Sequence, residues 1–117
     1  MSDLKKRIEA PRVDWFDQQQ TISDLDAIYR ILDRQGWIQG MLGRPGGPRC
    51  LAGSLYEATG RWDLHHQRER TARIINALGF RSEEAAARWQ DEPGRTKEDV
   101  LLRIQRAKAT FAKGGAG

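Results

Sequence analysis

The sequence predicts an all-α fold: a compact bundle of four to five short helices around one core, with room for a small β-hairpin near residues 37–50. Three observations carry that prediction. Apolar residues recur at three- and four-residue steps in several separate stretches, the period of a helix with one buried face. Those stretches open on Ser, Thr or Pro and close on Gly, the residues that suit helix starts and stops. The chain is 117 residues long with four tryptophans, which is the size of one domain and the aromatic content of a folded one.

Residues 1–20 read as an extension or arm. Leu4 and Ile8 share a face of a short turn that Pro11 interrupts, and Asp14-Trp15-Phe16-Asp17 sets two aromatics between two acids. A single domain is expected over residues 21–113. Its first helix should run from about Ser23, a good N-cap, to Gln35, with Leu25, Ile28, Ile31 and Leu32 as the apolar stripe and Gly36 as the stop. The period of Trp37–Leu42 does not choose between a strand, a helical turn and irregular chain. Gly43-Arg44-Pro45-Gly46-Gly47-Pro48 can only be a loop.

A second helix is expected from about Arg49 to Thr59, with Cys50, Leu51, Ser54, Leu55 and Ala58 inward, Gly53 at a close approach and Gly60 at its end. A third should cover about Leu64 to Leu78, ending in a Schellman turn at Gly79-Phe80. Ser82 caps a short fourth helix that ends near Trp89, with Ala85, Ala86 and Trp89 inward. Thr96 starts the last helix with Asp99 placed to complete a capping box, and Val100, Ile104, Ala107 and Phe111 form its seam. Gly114 to Gly117 reads as a flexible tail.

Composition narrows the function classes. No apolar run approaches the roughly 20 residues that span a bilayer, and no apolar segment follows the basic N-terminus, so neither membrane nor secretion is expected and the cytoplasm is the default address. One cysteine, Cys50, rules out an internal disulfide, and with His65 and His66 it falls short of any zinc signature. The formal charge of +4 lies wholly in the second half. Residues 1–60 balance eight basic against eight acidic residues, whereas residues 61–117 hold twelve and eight. That bias suits an acidic partner but falls well short of a dedicated nucleic-acid binder.

Candidate chemistry is sparse. Cys50 at a helix start is the one nucleophile candidate, and an enzyme centred on it needs a histidine brought close in space, for which no local signature exists. A lone cysteine on an apolar face is ordinarily core. The glycine loop with Arg44 and Arg49 resembles a phosphate cradle but lacks the Lys and Ser/Thr of a P-loop, so a connecting loop is the simpler reading. Arg61, Arg68, Arg70, Arg73 and Arg81 make the densest basic region. It could touch phosphates or an acidic protein surface, or form a solvated face neutralised by Asp63 and Glu69.

Two blocks carry a resemblance. Ile28–Gly40 (IYRILDRQGWIQG) with Cys50–Leu55 (CLAGSL), and Ala77–Phe80 (ALGF) with Trp89–Val100 (WQDEPGRTKEDV), resemble a family of small actinobacterial and actinophage proteins, domain of unknown function family 6197. The likeness covers about residues 25–108 and is most specific from Trp89 to Val100. It departs at Gln90, where the pattern carries Asn, and in the first twenty residues. The resemblance implies no catalytic residue, metal or cofactor. It implies a small accessory protein, phage-encoded in some members, and draws attention to Trp89, Arg95 and Thr96: Trp89 packing over the turn, Arg95 tying the turn to a carboxylate, Thr96 capping the next helix.

The expectation is therefore a non-enzymatic protein that binds a protein partner, modulating host machinery or a defence system. Trp15, Phe16, Arg68, Arg70, Arg73, Trp89 and Arg95 are the candidate contact residues. Nucleic-acid binding through the basic second half is the alternative.

Overall fold

A computed structural model describes residues 15–60 and 68–113. Leu4, Ile8, Pro11, Arg61, His65, His66 and the tail at residues 114–117 lie outside them. The described residues form five helices: α1 (Trp15–Gln35), α2 (Leu51–Thr59), α3 (Arg68–Ala77), α4 (Glu83–Gln90) and α5 (Lys97–Ala112). They enclose one core built from Leu25, Ile28, Leu32, Leu51, Leu55, Ile74, Leu78, Val100 and Ile104, each 3% exposed or less. The long α1 is its axis, packed along α5 on one side and against α2 and α3 on others.

Helix α1 begins eight residues before Ser23, which is exposed in mid-helix. Contacts with the rest of the molecule extend it. Gln18 Nε2 donates to the Phe111 carbonyl of α5 at 2.7 Å. Arg73 of α3 reaches both Asp17, at 3.5 Å, and Gln20, at 3.1 Å. Helices are stabilised mostly by tertiary packing, so a good N-cap inside such a stretch is simply read through.

The other helix ends follow local chemistry. Phe80 N–H donates to the Ile75 carbonyl and Gly79 N–H to that of Asn76, the two bonds of a Schellman turn. Ser82 caps α4 by accepting from Ala85 N–H, and Thr96 and Asp99 form both halves of a capping box on α5. Cys50 is the N-cap of α2 itself rather than a residue of its inner face, its buried sulfur accepting from Gly53 N–H at 3.2 Å.

Residues 36–50 hold no hairpin. Among the described residues there is no strand, only two isolated bridges, Trp37 with Arg49 and Gly43 with Arg49. Both use Arg49, so no ladder can extend from them, and Pro45 and Pro48 lack the N–H that a ladder needs. What orders the segment is a side chain. Arg49 is 1% exposed. Its Nη1 donates to the Gly43 carbonyl at 3.0 Å and its Nη2 to that of Gly53 at 2.7 Å, while Nε lies 3.3 Å from Glu57. Gly43 (φ +84°) and Gly53 must be glycine, since a Cβ would collide with the carbonyl of Pro48 in the first case and of Leu42 in the second. The loop is no phosphate cradle: one of its two arginines is buried and committed to main-chain carbonyls.

Candidate interaction surface

The structure separates the seven candidate contact residues into four groups. Trp15 and Phe16 stand on the first turn of α1, 64% and 76% exposed, with their rings edge to face at 5.2 Å. Arg68 is exposed at the start of α3. Arg70 and Arg73 instead turn inward onto α1. Arg70 grips the buried Asp24 carboxylate with Nε at 2.8 Å and Nη2 at 2.7 Å, and Arg73 takes Asp17 and Gln20. The Asp24 hydrogen bonds, then its charge, raise the Arg70 pKa against the opposing effect of burial. These two arginines hold α3 to α1, so two of the five arginines of the basic region are engaged within the fold, whereas Arg68 and Arg81 are exposed.

Trp89 and Arg95 come together in a groove between α4 and α5. The turn that joins these helices, Asp91 to Thr96, is folded around Arg95. Its Nε donates to the Trp89 carbonyl at 2.8 Å, its Nη2 meets Glu92 at 3.2 Å, and its guanidinium carbon sits 4.1 Å from the Trp89 ring centroid. Trp89 thus packs over the turn, Arg95 ties it to a carboxylate and Thr96 caps the next helix.

A second guanidinium lies against the same ring. Arg103 of α5 is 4.8 Å from the Trp89 centroid and 4.1 Å from that of Phe80, and its Nε donates to the Leu78 carbonyl at 2.8 Å. Phe80 and Trp89 pack together at 5.5 Å. Burial, then the neighbouring charge of Arg95, pulls the Arg103 pKa below the usual arginine value. The groove runs along α5 past Leu102, Arg106 and Thr110, with a volume of about 430 Å³. Leu102 is 45% exposed. Three guanidiniums line the groove against one carboxylate, Asp99, which is engaged in the α5 capping box. Such a surface attracts anions and offers an apolar contact beside them.

Arg103, Arg106 and Leu102 escaped the sequence reading. The signal was present, because Asp99, Leu102, Arg103, Arg106 and Thr110 form a second row at helical spacing on the face beside the buried seam. Gln90 was missed too. At 2% exposure it accepts from Trp37 Nε1 at 2.6 Å and from Leu51 N–H at 3.0 Å, and donates to the Ile38 carbonyl at 3.2 Å and to Asp91 at 2.6 Å. Gln39 and the Gly40 N–H add bonds to the same turn. One amide therefore joins the α1–α2 loop, the start of α2 and the end of α4.

No helix among the described residues is long and apolar enough to cross a membrane. Nor, among them, is any group of three or more His, Cys, Asp or Glu placed to hold a metal ion.

A family model described as "Family of unknown function (DUF6197)" matches residues 17–110, nearly the whole of the five-helix fold. No curated protein and no solved structure matches the chain. The two blocks that carry the resemblance meet in space, through the bonds of Gln90 and Asp91 to Trp37, Ile38, Gly40 and Leu51.

Proposed function

The chain belongs to this family of unknown function, DUF6197, and from that premise we propose that it is a non-enzymatic interaction protein whose contact surface is the Trp89–Arg103 groove. One observation carries the reading. Two guanidiniums are fixed against the Trp89 ring, and Arg103 and Arg106 have no acid partner among the described residues. Aromatic and arginine side chains held in place by their own packing are the usual anchors of protein interfaces. The exposed Trp15 and Phe16 form a separate apolar patch on α1, available as a lesser contact. The finer reading, modulation of a host or defence-system protein, is part of the same proposal and rests on the sequence resemblance alone.

Catalysis has less support. The only cysteine is buried as a helix cap. Nucleic-acid binding is the alternative, and it loses two of its arginines to ion pairs with α1.

Tagged full-length protein captured from host lysate, with and without nuclease, tests the reading. A stoichiometric protein partner that survives nuclease is expected. Recovery of nucleic acid alone, with affinity falling steeply as salt rises, would overturn it in favour of phosphate binding.

A further inference from the structure

Arg103 is held on every side without being neutralised. Its Nε is spent on the Leu78 carbonyl, two aromatic rings lie against its guanidinium, and a Cβ at Gly79 would come within 3.0 Å of Nη2. Gly79 is glycine for its left-handed backbone, φ +95°, and a Cβ there would also press on that nitrogen. None of these neighbours is an acid, and the nearby charge that shifts the group is another cation, Arg95. A half-buried cation beside a like charge is unfavourable unless something negative arrives. Capping the end of α3 accounts for the Arg103 Nε bond. It does not account for Arg106 one turn along, which is exposed and makes no hydrogen bond or ion pair with any described residue, or for the exposed Leu102 beside them.

We propose that the groove binds an acidic peptide segment of a protein partner, with Arg103 and Arg106 receiving its carboxylates and Leu102 an apolar side chain beside them. This rests on the interaction reading above and supplies its chemistry. Guanidinium forks match carboxylates in geometry, and such charge-assisted bonds are the strong ones. A nucleic-acid strand fits less well. The Trp89 ring already carries Arg95 at 4.1 Å and Arg103 at 4.8 Å, which leaves little of it for stacking a base.

The test is a titration of isotope-labelled full-length protein followed through the arginine Nε–H and tryptophan indole resonances. The probes are a short peptide of alternating Glu and Leu, inorganic phosphate, and a short oligothymidylate. The peptide should shift Trp89 and Arg103 saturably and bind more tightly than phosphate or the oligonucleotide. Arg106→Glu should weaken it at least ~10-fold, the loss of one charge-assisted contact, with the remaining resonances unmoved. No saturable shift with the peptide, a shift that Arg106→Glu leaves intact, or tighter binding of the oligonucleotide would each overturn the proposal. A lysate partner that depends on Arg106 while the peptide stays silent would sink the acidic chemistry and spare the interaction reading. Peptide binding with no protein partner in the lysate would do the reverse.

Discussion

Gln90→Ala is expected to lower the melting temperature by about 10–15 °C, from a loss of about 3 kcal/mol. The size follows from what the amide leaves behind. Trp37 Nε1, the Leu51 N–H and the Ile38 carbonyl all lose their partner, and the Leu51 amide is buried. A buried donor without a partner costs about 1–3 kcal/mol, and here several are orphaned by one truncation. Gln90→Glu separates the amide's two halves. It keeps an acceptor for Trp37 and Leu51 but sets a carboxylate oxygen against the Ile38 carbonyl and Asp91. It should be as damaging as alanine at neutral pH. Protonation restores a donor, so the variant should regain stability as pH falls below the raised pKa of the new carboxyl. Thermal denaturation followed by circular dichroism reads both. A melting temperature near that of the unmodified protein for Gln90→Ala would mean that the amide does not join the three segments.

Arg70→Met should cost nearly as much, about 3 kcal/mol. Asp24 is 4% exposed, and both of its hydrogen bonds come from Arg70. Removing the guanidinium leaves a buried carboxylate with nothing to balance it, which is far worse than never having had the pair. Arg70 is itself about a quarter exposed, so water reaches the site and holds the loss at the lower end of the range for buried pairs. The double variant Asp24→Leu with Arg70→Met should recover most of the stability, because an apolar pair replaces the ionic one. Equal losses in the single and double variants would show that the pair is not the cause.

Those two residues also mark what was legible in the sequence and what was not. Helix α5 could be read in full, because Thr96 and Asp99 define its start and Val100, Ile104, Ala107 and Phe111 its buried seam. The Schellman turn at Gly79-Phe80 was equally plain, since glycine at a left-handed position and a following aromatic act locally. Arg70 looked like surface for the same reason that charged residues usually do. Its partner Asp24 lies 46 positions away, and nothing local announces such a pairing. Gln90 is buried by a network that exists only after the helices assemble, and Arg49 by the glycine loop folding back onto α2, so a periodicity reading places both outside. At Ser23 a sound local signal was overruled by contacts from α3 and α5. The groove was half visible: Trp89 and Arg95 stood out within a compact motif, whereas Arg103 and Arg106 lay on a helix face that the search for a buried stripe passes over.

The groove as contact surface is the central claim, and a comparison of two variants in the nuclease-treated capture tests it most directly. Arg106 is exposed and makes no hydrogen bond or ion pair with any described residue, so Arg106→Glu should melt with the unmodified protein yet lose the partner. Trp15→Ala with Phe16→Ala should retain it. A partner kept by Arg106→Glu and lost by the aromatic double variant would contradict the account and move the contact surface to the start of α1.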